Sequence, residues 1–117
     1  MSGETSYHAG LAAEEIVLGH YRDRGAELRA KRWRGKGGEV DLIVALDGVL
    51  VFVEVKKSRS FDRAALRLGE RQMARLYAAA SEFIASEPAG QLTDMRFDAA
   101  LVNDAGAVHI IENAFGH

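Results

Sequence analysis

Two apolar stretches in the middle of the sequence, EVDLIVAL and VLVFVEVK, carry charged residues at their outer ends. These residues are Glu39 and Asp41 in the first stretch and Glu54 and Lys56 in the second. Charged side chains are rarely buried in proteins unless they are paired or hold an ion. Carboxylates are hard oxygen ligands, and one or two of them with a substrate phosphate can hold Mg²⁺. The first question is therefore whether the fold brings these side chains together.

The dipeptide Asp47-Gly48 between the two stretches predicts a β-hairpin with a two-residue loop. In such a hairpin, residues that face each other have numbers that sum to 95. Asp41 then faces Glu54, and Glu39 faces Lys56. Because side chains alternate along a strand, all four lie on the same face at the same end of the hairpin.

The rest of the predicted hairpin is apolar on both faces. The charged face continues with Ile43, Ala45, Leu50 and Phe52. The opposite face has no polar residue and consists of Val40, Leu42, Val44, Leu46, Val49, Val51, Val53 and Val55. We therefore expect a strand pair that is covered on both sides.

Directly opposed carboxylates destabilise a sheet, because their Cβ atoms lie about 5 Å apart. Three arrangements would relieve the repulsion between Asp41 and Glu54. One acid could be protonated with a raised pKa, Lys56 and a nearby arginine could neutralise the pair, or a divalent cation could bind between them. The hairpin alone leaves two interpretations open, a metal site and a salt-bridged quartet of Glu39, Lys56, Asp41 and Glu54.

A third carboxylate is expected inside an apolar helix face. Residues 6–24 are predicted to form a helix that ends at Gly25, with an apolar stripe made of Tyr7, Leu11, Leu18 and Tyr21. Glu14 falls in the middle of that stripe at 100° per residue, whereas Glu15 lies toward its edge. Glu14 either reaches solvent or a backbone group, or it belongs to a site.

The remaining pattern predicts one α/β domain spanning residues 1–117. A short basic edge strand (26–34) and a flexible GKGG loop (35–38) precede the hairpin. A helix over about 63–86, capped by Ser60 or Asp62, and two strands (95–103 and 107–112) follow it. The order α-β-β-β-α-β-β implies a mixed sheet with flanking helices.

Basic residues are concentrated around the hairpin. Residues 22–75 hold 14 of the 15 Lys and Arg residues against eight acids, although the whole chain has a net charge of −2. A segregated basic region suits a polyanionic partner, and a solvated basic surface is the simpler alternative.

Composition also narrows the classes of protein. The chain has no cysteine, which excludes disulfides and thiolate metal sites. Its 48% hydrophobic and 27% charged residues are typical of globular domains. No apolar run is long enough to span a bilayer, and the N-terminus lacks a hydrophobic signal core. We therefore expect a cytoplasmic protein without membrane contact.

The motif GGEVDLI followed by VFVEVKK resembles the PD-(D/E)xK pattern of restriction-endonuclease-like nucleases. In that pattern, an aspartate precedes a strand that carries (D/E)-x-K. Nearly the whole chain is similar to the YraN-like family of small bacterial proteins, which are regarded as endonucleases of that fold. The similarity includes Gly10, Glu14 and Gly25, with G-E-V-D at 38–41, F-V-E-V-K at 52–56, R-F-D at 96–98 and H-I-I-E-N-A-F at 109–115.

The resemblance implies a single restriction-endonuclease-like domain that hydrolyses nucleic-acid phosphodiester bonds with Mg²⁺ or Mn²⁺. By this resemblance, Asp41, Glu54 and the backbone carbonyl of Val55 would bind the metal. Lys56 would be the catalytic lysine, and Glu14 would be the first-helix acid that approaches the metal.

The expected partner is nucleic acid, DNA before RNA, and a homodimer would suit a duplex substrate. The basic residues predicted to bind it are Arg32, Arg34, Lys36, Lys57, Arg59, Arg63, Arg67 and Arg71. The sequence departs from the family pattern after Lys56, since the arginine usually found two residues later is displaced to Arg59. The usual Phe-Gly is Phe61-Asp62, and a lysine of the second helix is Arg71.

Two other interpretations remain beside the nuclease. One is a nucleic-acid-binding or protein-interaction module that keeps the fold without useful catalysis. The other is a small scaffold in which the four charges form a structural quartet. Asp41→Ala separates them, because it removes metal binding and cleavage in the first interpretation, leaves nucleic-acid binding in the second and changes stability in the third.

Overall fold

A computed structural model of the chain describes residues 2–59 and 70–114. It is an α/β structure with the predicted order of helices and strands. The elements are α1 (Ser2–Asp23), β1 (Glu27–Arg34), β2 (Glu39–Leu46), β3 (Val49–Lys57), α2 (Glu70–Ile84), a 3₁₀ turn (Gly90–Leu92), β4 (Met95–Val102) and β5 (Val108–Ile111).

The five strands form one mixed sheet in the order β1-β2-β3-β4-β5. β3 and β4 run parallel, and the other neighbours run antiparallel. A parallel pair needs a crossover connection, and α2 lies in that connection. β1 lies at one edge of the sheet, as its basic sequence predicted.

Two apolar clusters bury the sheet from opposite sides, with α1 covering one face and α2 the other. The α1 cluster contains Val17, Leu18 and Tyr21 packed on strand residues such as Leu42 and Val53. The α2 cluster contains Leu76, Ala79, Ala80 and Ile84 packed on Ile43, Leu50, Phe52 and Phe97. The predicted hairpin covered on both faces is confirmed, because Leu42, Ile43 and Phe52 are fully buried.

The predicted turn and register of the hairpin are also confirmed. Asp47 and Gly48 both have positive φ angles, 53° and 80°, as a type I′ turn requires. The pairs run from Leu46↔Val49 to Leu42↔Val53, so their numbers sum to 95.

The predicted alternation is wrong at one position in β2. Val40 was expected beside Leu42, but it packs in the α2 cluster with Ile43. The reason lies at Asp41, whose side chain accepts a hydrogen bond from the backbone N–H of Val55. The β2–β3 pairing is regular only from Leu42 onward, so the two-residue side-chain period is not kept across residue 41.

Both ends of α1 differ from the sequence prediction. α1 begins at Ser2 and ends at Asp23, one residue before the predicted end. The described part of α2 begins at Glu70. The predicted start of that helix, with its caps Ser60 and Asp62, lies outside the described residues. Neither described helix is long and apolar enough to cross a membrane.

Candidate functional site

A cleft opens at the end of the hairpin farthest from the turn. β2 stays paired with β1 as far as Arg34↔Glu39, whereas its pairing with β3 stops at Leu42↔Val53. The two hairpin strands therefore separate where the charged residues lie. The cleft has a volume of about 720 Å³ and is lined by Arg34, Gly35, Lys36, Gly37, Gly38, Glu39, Asp41, Glu54, Gln72 and Arg75.

Asp41 is held in this cleft by the neighbouring strand. Its Oδ2 accepts the backbone N–H of Val55 at 2.8 Å. Burial and, after it, the negative charge of Glu54 raise the pKa of Asp41 to about 7, while the Val55 amide and Lys56 oppose the increase. The contribution of the Glu54 charge corresponds to the repulsion predicted between these two acids.

Glu54 is almost fully buried, with 7% of its surface exposed. Its Oε1 accepts the Gln72 side-chain amide at 2.6 Å and lies 3.1 Å from the Lys56 ammonium. Burial raises the pKa of Glu54, while Lys56 and Gln72 act in the opposite direction. Both donors meet the same oxygen, so they fix the orientation of the carboxylate without occupying Oε2.

The backbone of Val55 adds a further oxygen on the Asp41 side. In an extended strand, the N–H and C=O of one residue point toward the same neighbouring strand. The Val55 N–H is directed at Asp41, and its carbonyl therefore faces β2 as well. A backbone carbonyl and two carboxylates are oxygen donors of the kind that Mg²⁺ and Mn²⁺ prefer.

The salt bridges in the cleft differ from those of the predicted quartet. Glu39 was expected to pair with Lys56, but its Oε2 lies 2.9 Å from Arg34 of the edge strand. Lys56 pairs with Glu54 instead. The separation of the strand ends explains the exchange, because Glu39 follows β1 while Lys56 stays with β3.

Glu14 is buried and Glu15 is exposed, as the helical stripe predicted. Both carboxylate oxygens of Glu14 accept the Nε–H of Arg32, at 3.1 and 2.9 Å. Its negative charge contributes to the raised pKa of Asp41, but Glu14 is not among the residues that line the cleft. Within residues 2–59 and 70–114, no three His, Asp or Glu side chains are grouped closely enough to hold a metal by themselves.

Arg32 adopts a backbone conformation that is unusual for its residue type. Its φ angle is +48°, in a left-handed region that costs an L-residue about 1 to 2 kcal/mol. Ala30↔Ile43 and Trp33↔Val40 pair on either side of it, so the register places Arg32 level with Asp41. The side chain is 39% exposed.

The basic residues predicted to contact nucleic acid are spread over several environments. Arg34 and Lys36 line the cleft, Lys57 ends β3 and is half-buried, and Arg59 is exposed beyond it. Arg32 is engaged with Glu14. Arg63 and Arg67 lie outside the described residues, and Arg71 is part of α2.

The GKGG loop, predicted to be flexible, is docked against α2. Glu82 accepts the backbone N–H groups of Lys36 and Gly37, each at 2.9 Å, and these bonds lower the pKa of Glu82. A Cβ on Gly38 would lie 2.3 Å from the backbone oxygen of Arg75. Glycine is therefore required where the loop meets the helix, and α2 becomes one wall of the cleft.

Two residues of α2 that shape the cleft were not predicted as site residues: Gln72 and Glu82. Gln72 precedes the buried Leu76 by one helical turn, so helical spacing places it on the same face. That spacing is the signal that could have identified Gln72. Nothing in the local sequence around Glu82 indicates that it caps a loop 45 residues away.

Comparison with known proteins gives a single family. A family model described as uncharacterised protein family UPF0102 matches residues 13–102. A UPF0102 protein of Roseobacter denitrificans is 56% identical over 97% of this chain and 88% of its own length. UPF0102 proteins of Ruegeria pomeroyi and Cereibacter sphaeroides are each 58% identical over 98% of this chain, and the matches cover 94% and 98% of those proteins.

Proposed function

The chain belongs to the UPF0102 family, and we propose that it is a metal-dependent nuclease with a restriction-endonuclease-like fold. The observation that carries the proposal is the meeting of Asp41 and Glu54 in an open cleft beside Lys56. Both carboxyl groups have raised pKa values, in part because nearby carboxylates repel them. Acids in a cleft whose pKa values are shifted by burial and by nearby charges are typical of functional sites.

The residues at the hairpin end fit a divalent cation. Asp41, Glu54 and the Val55 carbonyl supply hard oxygen donors, and a cation would relieve the repulsion between the two acids. Two carboxylates are sufficient for Mg²⁺, which usually keeps several waters and binds substrate phosphate as well. When bound, the ion would polarise the scissile phosphate and acidify a water molecule.

Lys56 would act on the reacting phosphate. Its ammonium is tethered to Glu54 and only 15% of its side chain is exposed, so the charge is held in a partly dehydrated position. A fixed cation there orients the attacking water and stabilises the negative charge that grows on the phosphate oxygens. Gln72 would hold the Glu54 carboxylate in place from the helix side.

Nucleic acid, DNA before RNA, is the substrate that we propose. Arg34, Lys36 and Arg75 surround the mouth of the same cleft, and cations at such positions bind backbone phosphates without reading sequence. Binding should therefore weaken as salt rises.

The test combines Mn²⁺ titration with cleavage assays on duplex, branched and single-stranded substrates. Asp41→Asn should abolish Mn²⁺ binding and reduce cleavage by at least about 10³-fold, because the metal supplies several kcal/mol to the transition state. Lys56→Met should retain the metal and lose about 10²-fold or more in rate. Asp94→Asn and Lys31→Met make the same replacements outside the cleft and serve as controls.

Each alternative predicts a different result. A binding module would retain nucleic-acid affinity in Asp41→Asn and show no cleavage in the wild type. A structural quartet would give no change of melting temperature with Mn²⁺, whereas a nuclease at 100 times its Kd for the ion should gain about 2.7 kcal/mol of stability. Wild-type protein that neither binds Mn²⁺ nor cuts any substrate overturns the proposal.

A further inference from the structure

Glu14 and Arg32 form a charge pair beside the cleft that the proposed reaction does not use. Glu14 is 9% exposed, and a buried carboxylate requires a partner. Arg32 supplies it by donating to both oxygens, at 3.1 and 2.9 Å. The carboxylate is thus neutralised from within the chain.

The backbone of β1 is arranged to hold this contact. Arg32 has a φ angle of +48° and lies level with Asp41, between the pairs Lys31↔Leu42 and Trp33↔Val40. Strained conformations of non-glycine residues persist where the surrounding structure enforces them, and they are concentrated at functional sites. The strain points to a role for the Arg32 side chain that a regular strand residue would not fill.

The pair also explains how the three acids are distributed. Asp41 and Glu54 line the cleft, whereas Glu14 does not. Without Arg32, Glu14 would be an unpaired carboxylate whose charge acts on Asp41, and such a carboxylate is a ligand for a second cation beside the first. A guanidinium is always charged and donates through a rigid fork, which suits it to replace such a cation.

We propose that Arg32 takes the place of a second divalent cation beside Glu14, so that the cleft holds a single ion between Asp41 and Glu54. In this arrangement Glu14 is not a metal ligand, and Arg32 is a positioning residue rather than a contact to nucleic acid. This inference rests on the metal site of the proposed function, but it concerns the number of ions and not the reaction.

The experiment measures the number of Mn²⁺ ions bound by wild type, Arg32→Gln and the double variant Arg32→Gln/Glu14→Gln, by calorimetry and by electron paramagnetic resonance. Wild type should bind one ion. Arg32→Gln should bind a second, weaker ion, and the double variant should return to one. Arg29→Gln, which removes another β1 cation paired with Glu87, is the matched control and should bind one ion.

Several results overturn the inference. Two ions in wild type, or one ion with unchanged affinity in Arg32→Gln, would each contradict it. If Arg32→Gln does not fold by circular dichroism, the double variant decides, because it has no unpaired charge. In the double variant, the affinity for the single ion should fall by less than about 10- to 100-fold. That is the loss typical when a side chain that supports a metal ligand is removed. A larger loss would make Glu14 a ligand.

The same data separate this inference from the proposed function. No Mn²⁺ binding in any variant defeats the inference together with the metal site. One bound ion in wild type and two in Arg32→Gln, without cleavage of any substrate, leaves the inference standing and removes the nuclease activity.

Discussion

A buried and a half-buried aspartate of this sheet have opposite surroundings. Asp98 in β4 is fully buried and accepts hydrogen bonds from Tyr21, Arg96 and the backbone of Asn113. Asp41 in β2 accepts one backbone bond and faces a second carboxylate. The first acid is satisfied by several donors of the chain, whereas the second accepts one backbone bond and lies beside a like charge.

The Asp98 cluster shows what a structural buried charge requires. Arg96 donates through Nε and Nη2, at 3.1 and 3.2 Å, and the Tyr21 hydroxyl donates at 2.7 Å. Burial and the charge of Asp98 raise the pKa of Tyr21, so its proton stays in place. The cluster ties α1 to β4 and to the segment after β5. The sheet therefore holds a buried carboxylate without strain when donors converge on it.

The same substitution at the two sites should have opposite effects on stability, and the larger effect is at Asp98. Asp98→Asn removes the buried charge that Arg96 pairs with, leaving only Glu112 at 3.7 Å, and places amide hydrogens against other donors. We expect a loss of about 3 kcal/mol in the free energy of unfolding, measured by urea denaturation in EDTA. Mn²⁺ binding should remain in the folded fraction. A loss below about 1 kcal/mol would show that this cluster is no better satisfied than Asp41.

Asp41→Asn should increase stability in the absence of metal, by about 1 to 3 kcal/mol at pH 8. The pKa of Asp41 in the folded chain, about 7, lies above its unfolded value of about 3.9. The folded state therefore binds the proton more tightly, and that stability is lost as the pH rises from about 4 to about 7.

Denaturation of wild type and Asp41→Asn across pH 4 to 8 checks this effect. The two proteins should converge near pH 4, and the exposed control Asp94→Asn should follow wild type throughout. A wild type whose stability relative to Asp41→Asn rises with pH would reverse the assignment of Asp41 as an unsatisfied acid.

Tyr21→Phe is a smaller change to the hydrogen-bonded cluster around Asp98. It removes one hydrogen bond to a charged acceptor and should cost about 1.5 kcal/mol. Because Tyr21 belongs to the α1 cluster and does not line the cleft, the Mn²⁺ affinity measured by calorimetry should not change. A change in metal affinity would mean that the two clusters are coupled through the sheet.

Gln72→Leu removes the side-chain amide that donates a hydrogen bond to Glu54. Loss of the 2.6 Å bond should free the carboxylate to rotate and weaken Mn²⁺ binding by about 10-fold. Gln91→Leu makes the same replacement at an exposed position and should have no effect on the Mn²⁺ affinity. Equal affinities in the two variants would indicate that Lys56 alone orients Glu54.

The sequence predicted the parts of this site that depend on local rules. The Asp47-Gly48 turn determines the pairing register, and the helical period places Glu14 on the buried face of α1. Both are short-range properties, and the structure confirms them. The register predicted that Asp41 and Glu54 lie close together, although the regular pairing stops one residue earlier, at Leu42↔Val53.

The parts that were missed depend on contacts between distant segments. The bond from Gln72 to Glu54 and the docking of the GKGG loop by Glu82 require the position of α2 on the sheet. The exchange of salt bridges at Glu39 and Lys56 required the separation of the strand ends. The left-handed backbone at Arg32 has no residue signature, since glycine or asparagine would be expected there.

The two-residue turn also has a consequence for how the chain folds. Hairpins close in about 1 to 10 microseconds, so Asp41 and Glu54 can meet before the crossover that brings α2 to the sheet. The parallel pairing of β3 with β4 is non-local and should form more slowly. At that stage water would screen the repulsion between the two acids. The repulsion should increase when α2 docks on the sheet, so the docking of α2 is the step of folding that the proposed cation should accelerate.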